Sequence, residues 1–150
     1  MEQMPEIVTL TNMCMLRDGD NVLVQDRRDP AWPGITFPGG HVEEGEAFTD
    51  AVIREVREET GLTITSPRLV GIKDWFSAGK RYVVLLYRAD RFSGTLHSSE
   101  EGEVWWESLA DFPHLTLADD MERMLRVFLE DDLSEFYYRH TDGDWIPDLK

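Results

Sequence analysis

A chain of 150 residues with 41% hydrophobic residues is long enough to bury a core, and we expect a single domain over residues 1–150. The formal net charge of -15 argues against binding a nucleic acid polymer, because the field of the protein repels phosphates. The single cysteine, Cys14, excludes an intrachain disulfide and a cysteine-rich zinc site. With no signal peptide and no apolar run of membrane-spanning length, we expect a cytoplasmic protein that does not enter membranes.

Six short segments rich in β-branched and aromatic residues are predicted as strands: 7–16, 22–24, 35–37, 69–75, 82–89 and 104–106. Turn residues at 17–21 join the first two segments into a hairpin, and a polar, proline-bearing loop at 27–34 precedes the third. Residues 47–60 are predicted as a helix that ends at Gly61. Residues 118–130 are predicted as a second helix, because their apolar residues follow helical spacing.

Strands mixed with two helices, without regular β-α-β alternation, indicate an α+β protein in which helices flank a mixed central sheet. Residues 131–150 are aromatic and acidic and receive no predicted structure. The sequence contains no internal repeat and no low-complexity segment.

The most specific pattern lies in residues 40–62. A glycine is followed after five residues by Glu46, and after seven more by the run Arg54-Glu55-Val56-Arg57-Glu58-Glu59-Thr60-Gly61-Leu62. On a helix, Glu55, Glu58 and Glu59 lie at positions i, i+3 and i+4, so their carboxylates share one face. A solvated acidic face is the alternative, but these glutamates adjoin an apolar arc that can anchor the helix on a sheet. Hard oxygen ligands in this arrangement suit Mg²⁺ or Mn²⁺.

This segment resembles the Nudix box, which it matches at Gly40, Glu46, Arg54, Glu55, Val56, Glu58, Glu59, Gly61 and Leu62. The Phe37-Pro38-Gly39-Gly40 entry and the flanking strands extend the resemblance over most of the chain. The resemblance implies a Nudix-type α/β/α sandwich and a metal-dependent hydrolase that cleaves a diphosphate linkage in a nucleotide. It also implies that the clustered glutamates are both metal ligands and catalytic residues.

Other residues near the box are candidates for supporting roles. Gly40 has no Cβ, so its backbone carbonyl can approach the metal. Arg54 lies four residues before Glu58 and is placed to orient a carboxylate, unless it forms an ordinary helix ion pair. By resemblance, a glutamate in the loop before the tryptophan-bearing strand binds metal or acts as the base. Glu100 is the first candidate and Glu103 the next, with a solvated acidic loop as the alternative.

Three features bear on the substrate. Asp119 and Asp120 resemble the acidic pair that oxidised-purine nucleoside triphosphatases present to a base edge, although a charge pair at a helix N-terminus is favourable without any ligand. Asn12, on the first strand, can hydrogen-bond a base or a sugar, or simply occupy a strand edge. Arg27 and Arg28 lie in the loop before the box and are placed to reach a triphosphate, unless they are only solvated.

We therefore expect hydrolysis of a nucleoside triphosphate to the monophosphate and pyrophosphate, with 8-oxo-dGTP or a related oxidised purine nucleotide as the best candidate. Metal ions would be held by Glu55, Glu58, Glu59 and Glu100, and either Glu55 or a glutamate of the 100–103 loop would accept the proton of the attacking water. One alternative is the same chemistry on ADP-ribose, a dinucleoside polyphosphate or another nucleoside diphosphate linked to X. The other is a non-catalytic nucleotide-sensing module.

Overall fold

The computed structural model describes residues 3–150, which form ten strands, two α-helices and a short 3-10 helix. The strands are β1 (Ile7–Asp18), β2 (Asn21–Arg27), β3 (Gly34–Thr36), β4 (Leu62–Ile64), β5 (Arg68–Ser77), β6 (Lys80–Ala89), β7 (Phe92–Gly94), β8 (Gly102–Ser108), β9 (Glu135–Thr141) and β10 (Asp144–Leu149). The helices are α1 (Phe48–Thr60), α2 (Met121–Leu129) and the 3-10 helix Phe112–His114.

Eight strands form one mixed sheet in the order β10-β9-β5-β6-β1-β2-β3, with β8 paired to β2. The β1–β6 and β5–β9 pairs are parallel, and the remaining pairs of this sheet are antiparallel. Strand β1 pairs with β6 over residues 7–16 but with β2 only at Arg17 and Asp18. The strands on the β6 side and those on the β2 side therefore diverge along β1. Strands β4 and β7 form a separate small sheet.

Alternating side chains of β1 supply the two hydrophobic clusters of the protein. Met13 and Met15 belong to one cluster, which includes the α2 residues Met121, Met124 and Phe128. Cys14 and Leu16 belong to the other cluster, which includes the α1 residues Val52 and Val56. Because successive strand residues point to opposite faces, each helix buries its apolar side on a different set of sheet residues. The predicted α+β fold, a mixed central sheet flanked by helices, is confirmed.

The first helix matches its predicted bounds to within one residue. It ends at Gly61, which has φ +79 and donates its N–H to the carbonyl of Arg57 at 2.9 Å. The second helix begins at Met121, so its predicted start at Ala118 is wrong. Ala118 instead donates its N–H to the carbonyl of Ile35 at 3.0 Å, and Asp120 has φ +63, which no α-helical residue adopts.

Residues 135–149, left without a prediction, form the hairpin of β9 and β10. The hairpin extends the sheet because β9 pairs in parallel with β5 from Ile72 to Trp75. Neither α-helix of the described chain is long and apolar enough to cross a membrane.

Candidate active site

A cavity of about 790 Å³ gathers most of the residues that the sequence indicates. The predicted site residues in its lining are Asn12, Arg27, Gly40, Glu55, Glu59, Asp119 and Asp120. The predicted site residues outside its lining are Arg28, Arg54, Glu58, Glu100 and Glu103. The lining comes from both helical and strand elements, including the C-terminal hairpin.

Glu59 is a buried carboxylate of this cavity, with only 4% of its surface exposed. Its Oε2 accepts a hydrogen bond from the N–H of Gly39 at 2.9 Å. Burial raises the pKa of Glu59 to about 8, and the nearby charges of Glu55 and Glu101 also raise it. The hydrogen bond from the Gly39 N–H has the opposite effect and lowers the pKa. Carboxylates crowded in this way are stabilised by a cation among them.

Arg54 connects three glutamates of the box. Its Nε and Nη2 donate to both oxygens of Glu46 at 2.8 and 3.0 Å, and its Nη1 donates to Glu55 at 2.9 Å and to Glu58 at 3.3 Å. The hydrogen bonds from Arg54 lower the pKa of Glu46 to about 2. Burial raises the pKa of Glu55, against the lowering effect of Arg54. Arg54 therefore holds Glu55 in place from outside the cavity, and Glu46 anchors Arg54.

Gly39 and Gly40 bring the loop after β3 directly against α1. A Cβ at Gly40 would overlap the carboxylate of Glu55, and one at Gly39 would overlap the backbone oxygen of Asn12. Strand β1 fixes this loop, because the N–H of Asn12 donates to the Gly40 carbonyl at 2.8 Å and the Gly40 N–H donates to Asn12 Oδ1 at 3.1 Å. Glycine is therefore required here to leave room for Glu55, whatever its carbonyl binds.

In the loop before β8, the glutamate that lines the cavity is Glu101. Its charge contributes to the raised pKa values of Glu55 and Glu59. Glu100 lies exposed in the preceding turn, and Glu103 is an exposed residue of β8. The structure therefore brings Glu101 to the carboxylate cluster in place of the two loop glutamates chosen from the sequence.

Another part of the lining contains the acidic pair Asp119 and Asp120. Trp32 donates its Nε1–H to the backbone oxygen of Asp119 at 3.2 Å. The carboxylate of Asp120 accepts hydrogen bonds from the hydroxyl of Tyr138 and, at 2.7 Å, from Arg123. The Asp120 side chain makes no capping hydrogen bond to α2, and the backbone of Asp120 is not helical. The Asp120 side chain therefore does not cap α2, and a favourable charge at the helix N-terminus stays the alternative for the pair.

Asn12 and Arg27 also line the cavity, whereas Arg28 is exposed outside it. Asn12 is buried, and its Nδ2 has no hydrogen-bond partner among residues 3–150, so it is a free donor beside the cavity. Arg27 donates from Nε to the carbonyl of Trp32 at 3.2 Å and from Nη2 to Asp29 at 3.1 Å. These contacts hold the guanidinium of Arg27 at the cavity edge.

Several lining residues do not follow from sequence reasoning: Trp32, Lys73, Tyr138 and Trp145. A signal for the last two exists in the Asp142-Gly143 pair, whose φ values of +52 and +83 form a tight turn between β9 and β10. An Asp-Gly pair between aromatic segments is a strong hairpin signal. Lys73 has no comparable signal.

A NUDIX domain model matches residues 9–128 of the chain. The chain belongs to the Nudix family. A relative from Bacillus subtilis, the uncharacterized Nudix hydrolase YvcI, is 36% identical over 111 residues, which cover 70% of this chain and 69% of the relative. An ADP-ribose pyrophosphatase from Methanocaldococcus jannaschii is 28% identical over 116 residues, covering 75% of this chain and 68% of the relative. The crystal structure of a MutT protein from Bacillus halodurans matches with a TM-score of 0.76 and 28% identity, over 94% of this chain and 97% of that chain.

These similarities confirm the resemblance to Nudix hydrolases and to MutT-like proteins. The chain is a Nudix hydrolase, and hydrolysis of a pyrophosphate linkage in a nucleotide is the activity that its relatives support. The Nudix box runs from Gly40, in the loop after β3, through α1 to Leu62 at the start of β4. The helix in this segment brings Glu55 and Glu59 into the cavity.

Nudix hydrolases generally use a divalent metal ion, and the residues of this cavity fit one. The lining offers the carboxylates of Glu55, Glu59 and Glu101, which are hard oxygen donors, and burial with mutual repulsion raises the pKa values of the first two. Within residues 3–150, no three acidic, histidine or cysteine side chains lie close enough together to hold a metal ion by themselves. Mg²⁺ and Mn²⁺ retain waters and bind substrate phosphates, so they need few ligands from the protein itself.

Proposed function

We propose that the protein hydrolyses a nucleoside triphosphate to the monophosphate and pyrophosphate, with 8-oxo-dGTP or a related oxidised purine nucleotide as the leading substrate. The observation that carries this proposal is the composition of one cavity. Its lining combines the carboxylates of Glu55, Glu59 and Glu101 with a second region, which contains aromatic side chains together with Asp119 and Asp120. A nucleotide has the same two parts, a polyphosphate that needs cations and a flat base that stacks on aromatic rings.

The carboxylates would bind the metal and activate water. With Glu55, Glu59 and Glu101 as ligands, Mg²⁺ would neutralise charge on the phosphate oxygens. A carboxylate of this cluster, Glu55 or Glu101, would accept the proton of the attacking water. Arg54 is a positioning residue, because its Nη1 donates to Glu55 at 2.9 Å and to Glu58 at 3.3 Å without entering the cavity lining.

Recognition of the base would fall to the polar groups in the aromatic part of the cavity. The free Nδ2 donor of Asn12 has its amide orientation fixed, because its Oδ1 accepts the Gly40 N–H at 3.1 Å. Asp119 and Asp120 supply acceptors. The Asp120 carboxylate already accepts from Tyr138 and Arg123, so Asp119 is the acceptor that a base without donors would leave without a partner. Arg27, whose guanidinium lies 5.5 Å from the ring centroid of Trp32, would contact the sugar or the phosphates.

A second candidate is ADP-ribose hydrolysis, because the relative from Methanocaldococcus jannaschii is an ADP-ribose pyrophosphatase. Both candidates cleave a diphosphate linkage next to a nucleoside and need the same carboxylates. They differ in the group beyond the second phosphate and in the base, which is adenine in ADP-ribose. Substrate competition therefore separates them.

The test is a panel of 8-oxo-dGTP, the normal triphosphates, ADP-ribose and a diadenosine polyphosphate, assayed with and without Mg²⁺. We expect the highest kcat/KM for 8-oxo-dGTP, with pyrophosphate as the product. In ¹⁸O-water the label should enter the nucleoside monophosphate or pyrophosphate, and label found only in orthophosphate would contradict the proposal. Preferential hydrolysis of ADP-ribose would favour the second candidate.

The glutamates of α1 provide a matched set of variants for the same assay. Glu59 is buried in the cavity, whereas the side chain of Glu58 is 55% exposed. Glu59→Gln should lower kcat/KM by about a hundredfold or more, because it removes a charged metal ligand. Glu58→Gln should have a smaller effect, and Asp50→Asn, an exposed change on the same helix, should have none. Wild-type activity of Glu59→Gln under saturating Mg²⁺ would refute this assignment.

A further inference from the structure

Lys73 is a buried cation in the lining of the cavity. Its exposed fraction is 6%, although lysine is rarely buried without a charged partner. Strand β5 directs both Lys73 and Trp75 to the cavity, because residues two apart on a strand share a face. No part of the mechanism proposed above uses this ammonium group.

Four aromatic rings surround the ammonium of Lys73. Its Nζ lies 4.8 Å from the ring centroid of Trp32, 5.4 Å from Trp75, 5.1 Å from Tyr138 and 5.6 Å from Phe136. Two of these rings belong to β9, which lies beyond the residues that match the NUDIX domain model. The faces of the rings attract the cation, but a cation–π contact does not satisfy the N–H donors of the ammonium as a hydrogen bond would.

The N–H donors of the Lys73 ammonium are available to a ligand. Among residues 3–150 the ammonium makes no hydrogen bond or ion pair, and the Asp120 carboxylate is already bonded to Tyr138 and Arg123. Burial lowers the pKa of Lys73 to about 8, and the charges of Asp120 and Asp119 oppose that shift. A methionine would fill the same space without the cost of burying a charge, so packing alone does not account for a lysine here.

We propose that Lys73 selects purines that carry an oxygen at position 6, as guanine and 8-oxoguanine do, over purines that carry an amino group there, as adenine does. This inference rests on the proposed function only in placing a nucleotide base in this part of the cavity. Lys73 donates to the 6-oxygen, and the exposed carboxylate of Asp119, which also lines the cavity, receives an N–H group of the same base edge. Adenine reverses the pattern, since its amino group faces the ammonium and its unprotonated N1 faces the carboxylate.

The test compares the binding of IMP and AMP, which differ at position 6 and in the proton on N1, to the intact protein with Mg²⁺. Neither is a triphosphate, so the dissociation constants are measured by calorimetry independently of turnover. We expect the wild type to prefer IMP, and Lys73→Met to reduce that preference by about ten- to a hundredfold, the range for losing a hydrogen bond to a charged group. Lys80→Met is the control, because Lys80 is exposed and lies 5.9 Å from the ring of Tyr82.

Lys73→Arg retains the charge and the donors and should keep more of the preference for IMP than Lys73→Met does. Melting curves identify any variant that fails to fold. An unchanged preference in folded Lys73→Met, equal preferences in the Arg and Met variants, or a wild type that binds AMP as well as IMP would overturn the inference. If the wild type hydrolyses no triphosphate yet prefers IMP through Lys73, the proposed function fails and this inference stands.

Discussion

Glu100 and Glu101 are adjacent in the sequence, and only Glu101 lines the cavity. Glu101→Gln should therefore lower kcat/KM by about a hundredfold, because it removes a charge from the carboxylates that we propose to bind the metal. Glu100→Gln makes the same chemical change one residue away and should leave kcat/KM near the wild-type value. Steady-state kinetics at saturating Mg²⁺ measures both. If Glu100→Gln shows the larger loss, the ligand is the residue that sequence resemblance favours, and the loop rearranges when substrate binds.

The position of this glutamate could not be obtained by counting along the chain. The turn before β8 is set by Gly102, where a Cβ would overlap the backbone oxygen of Asp26. This close approach joins residues far apart in sequence, so counting along the chain does not reveal it. The glutamates of α1 were easier to predict, because helical spacing alone places Glu55 and Glu59 on one face.

At the scale of one strand, β5 carries Lys73 to the cavity and Asp74 to the opposite face. Burial, with the neighbouring Glu135 carboxyl, raises the pKa of Asp74 from 3.8 to about 7, against the effect of Arg81. Arg81 donates to Asp74 at 3.2 Å and to Glu6 on the other side. An acid with a higher pKa in the folded state binds its proton more tightly when folded. Ionising Asp74 therefore opposes folding, and its contribution to stability falls between about pH 4 and pH 7.

Asp74→Asn removes this titration, so the variant should lose less stability than the wild type as the pH rises through that window. Urea unfolding at a series of pH values measures the difference between the two proteins. Subtraction cancels the carboxylates that remain in both, including Glu46, whose lowered pKa gives a slope of opposite sign. Parallel pH profiles for Asp74→Asn and the wild type would show that Asp74 is ionised without penalty in the fold.

The two helices differ in how much of them was predictable. α1 has a glycine at its C-terminal end and a continuous apolar arc, and both signals are local. The start of α2 depends on a tertiary contact, because the Ala118 N–H bonds to the carbonyl of Ile35 on β3. The apolar spacing of α2 also includes Ala118, so the pattern predicts a helix that starts too early. The sheet holds Ala118 in a different conformation.

The whole cavity is assembled from residues that lie far apart in the chain. The rings around Lys73 come from residues 32, 75, 136 and 138, so no local pattern predicts that they meet. The sequence does predict the chemistry of the carboxylate end, because the box is one continuous segment. The carboxylate end of the cavity is thus visible in the sequence, and the aromatic end, where we propose that the base binds, depends on the packing of the C-terminal hairpin.

The net charge of -15 affects the stability of the whole molecule. Like charges repel one another in the compact state, and the carboxylates at the cavity concentrate that repulsion. NaCl should raise the melting temperature by screening. MgCl₂ at the same ionic strength should raise it further, because an ion that binds only the folded state adds about 2.7 kcal/mol at a hundredfold excess over Kd. For a domain of this size that is on the order of 5 to 10 °C.

The extra stabilisation by Mg²⁺ separates binding at the cavity from general screening. In Glu59→Gln the NaCl effect should persist, because one charge among 30 acidic residues changes little. The additional Mg²⁺ effect should shrink, because the variant lacks a buried ligand and part of the repulsion that favours a cation. Asp50→Asn removes the same charge from the surface of α1 and should retain both effects. If Mg²⁺ stabilises Glu59→Gln as strongly as it does Asp50→Asn, the ion binds elsewhere on the acidic surface.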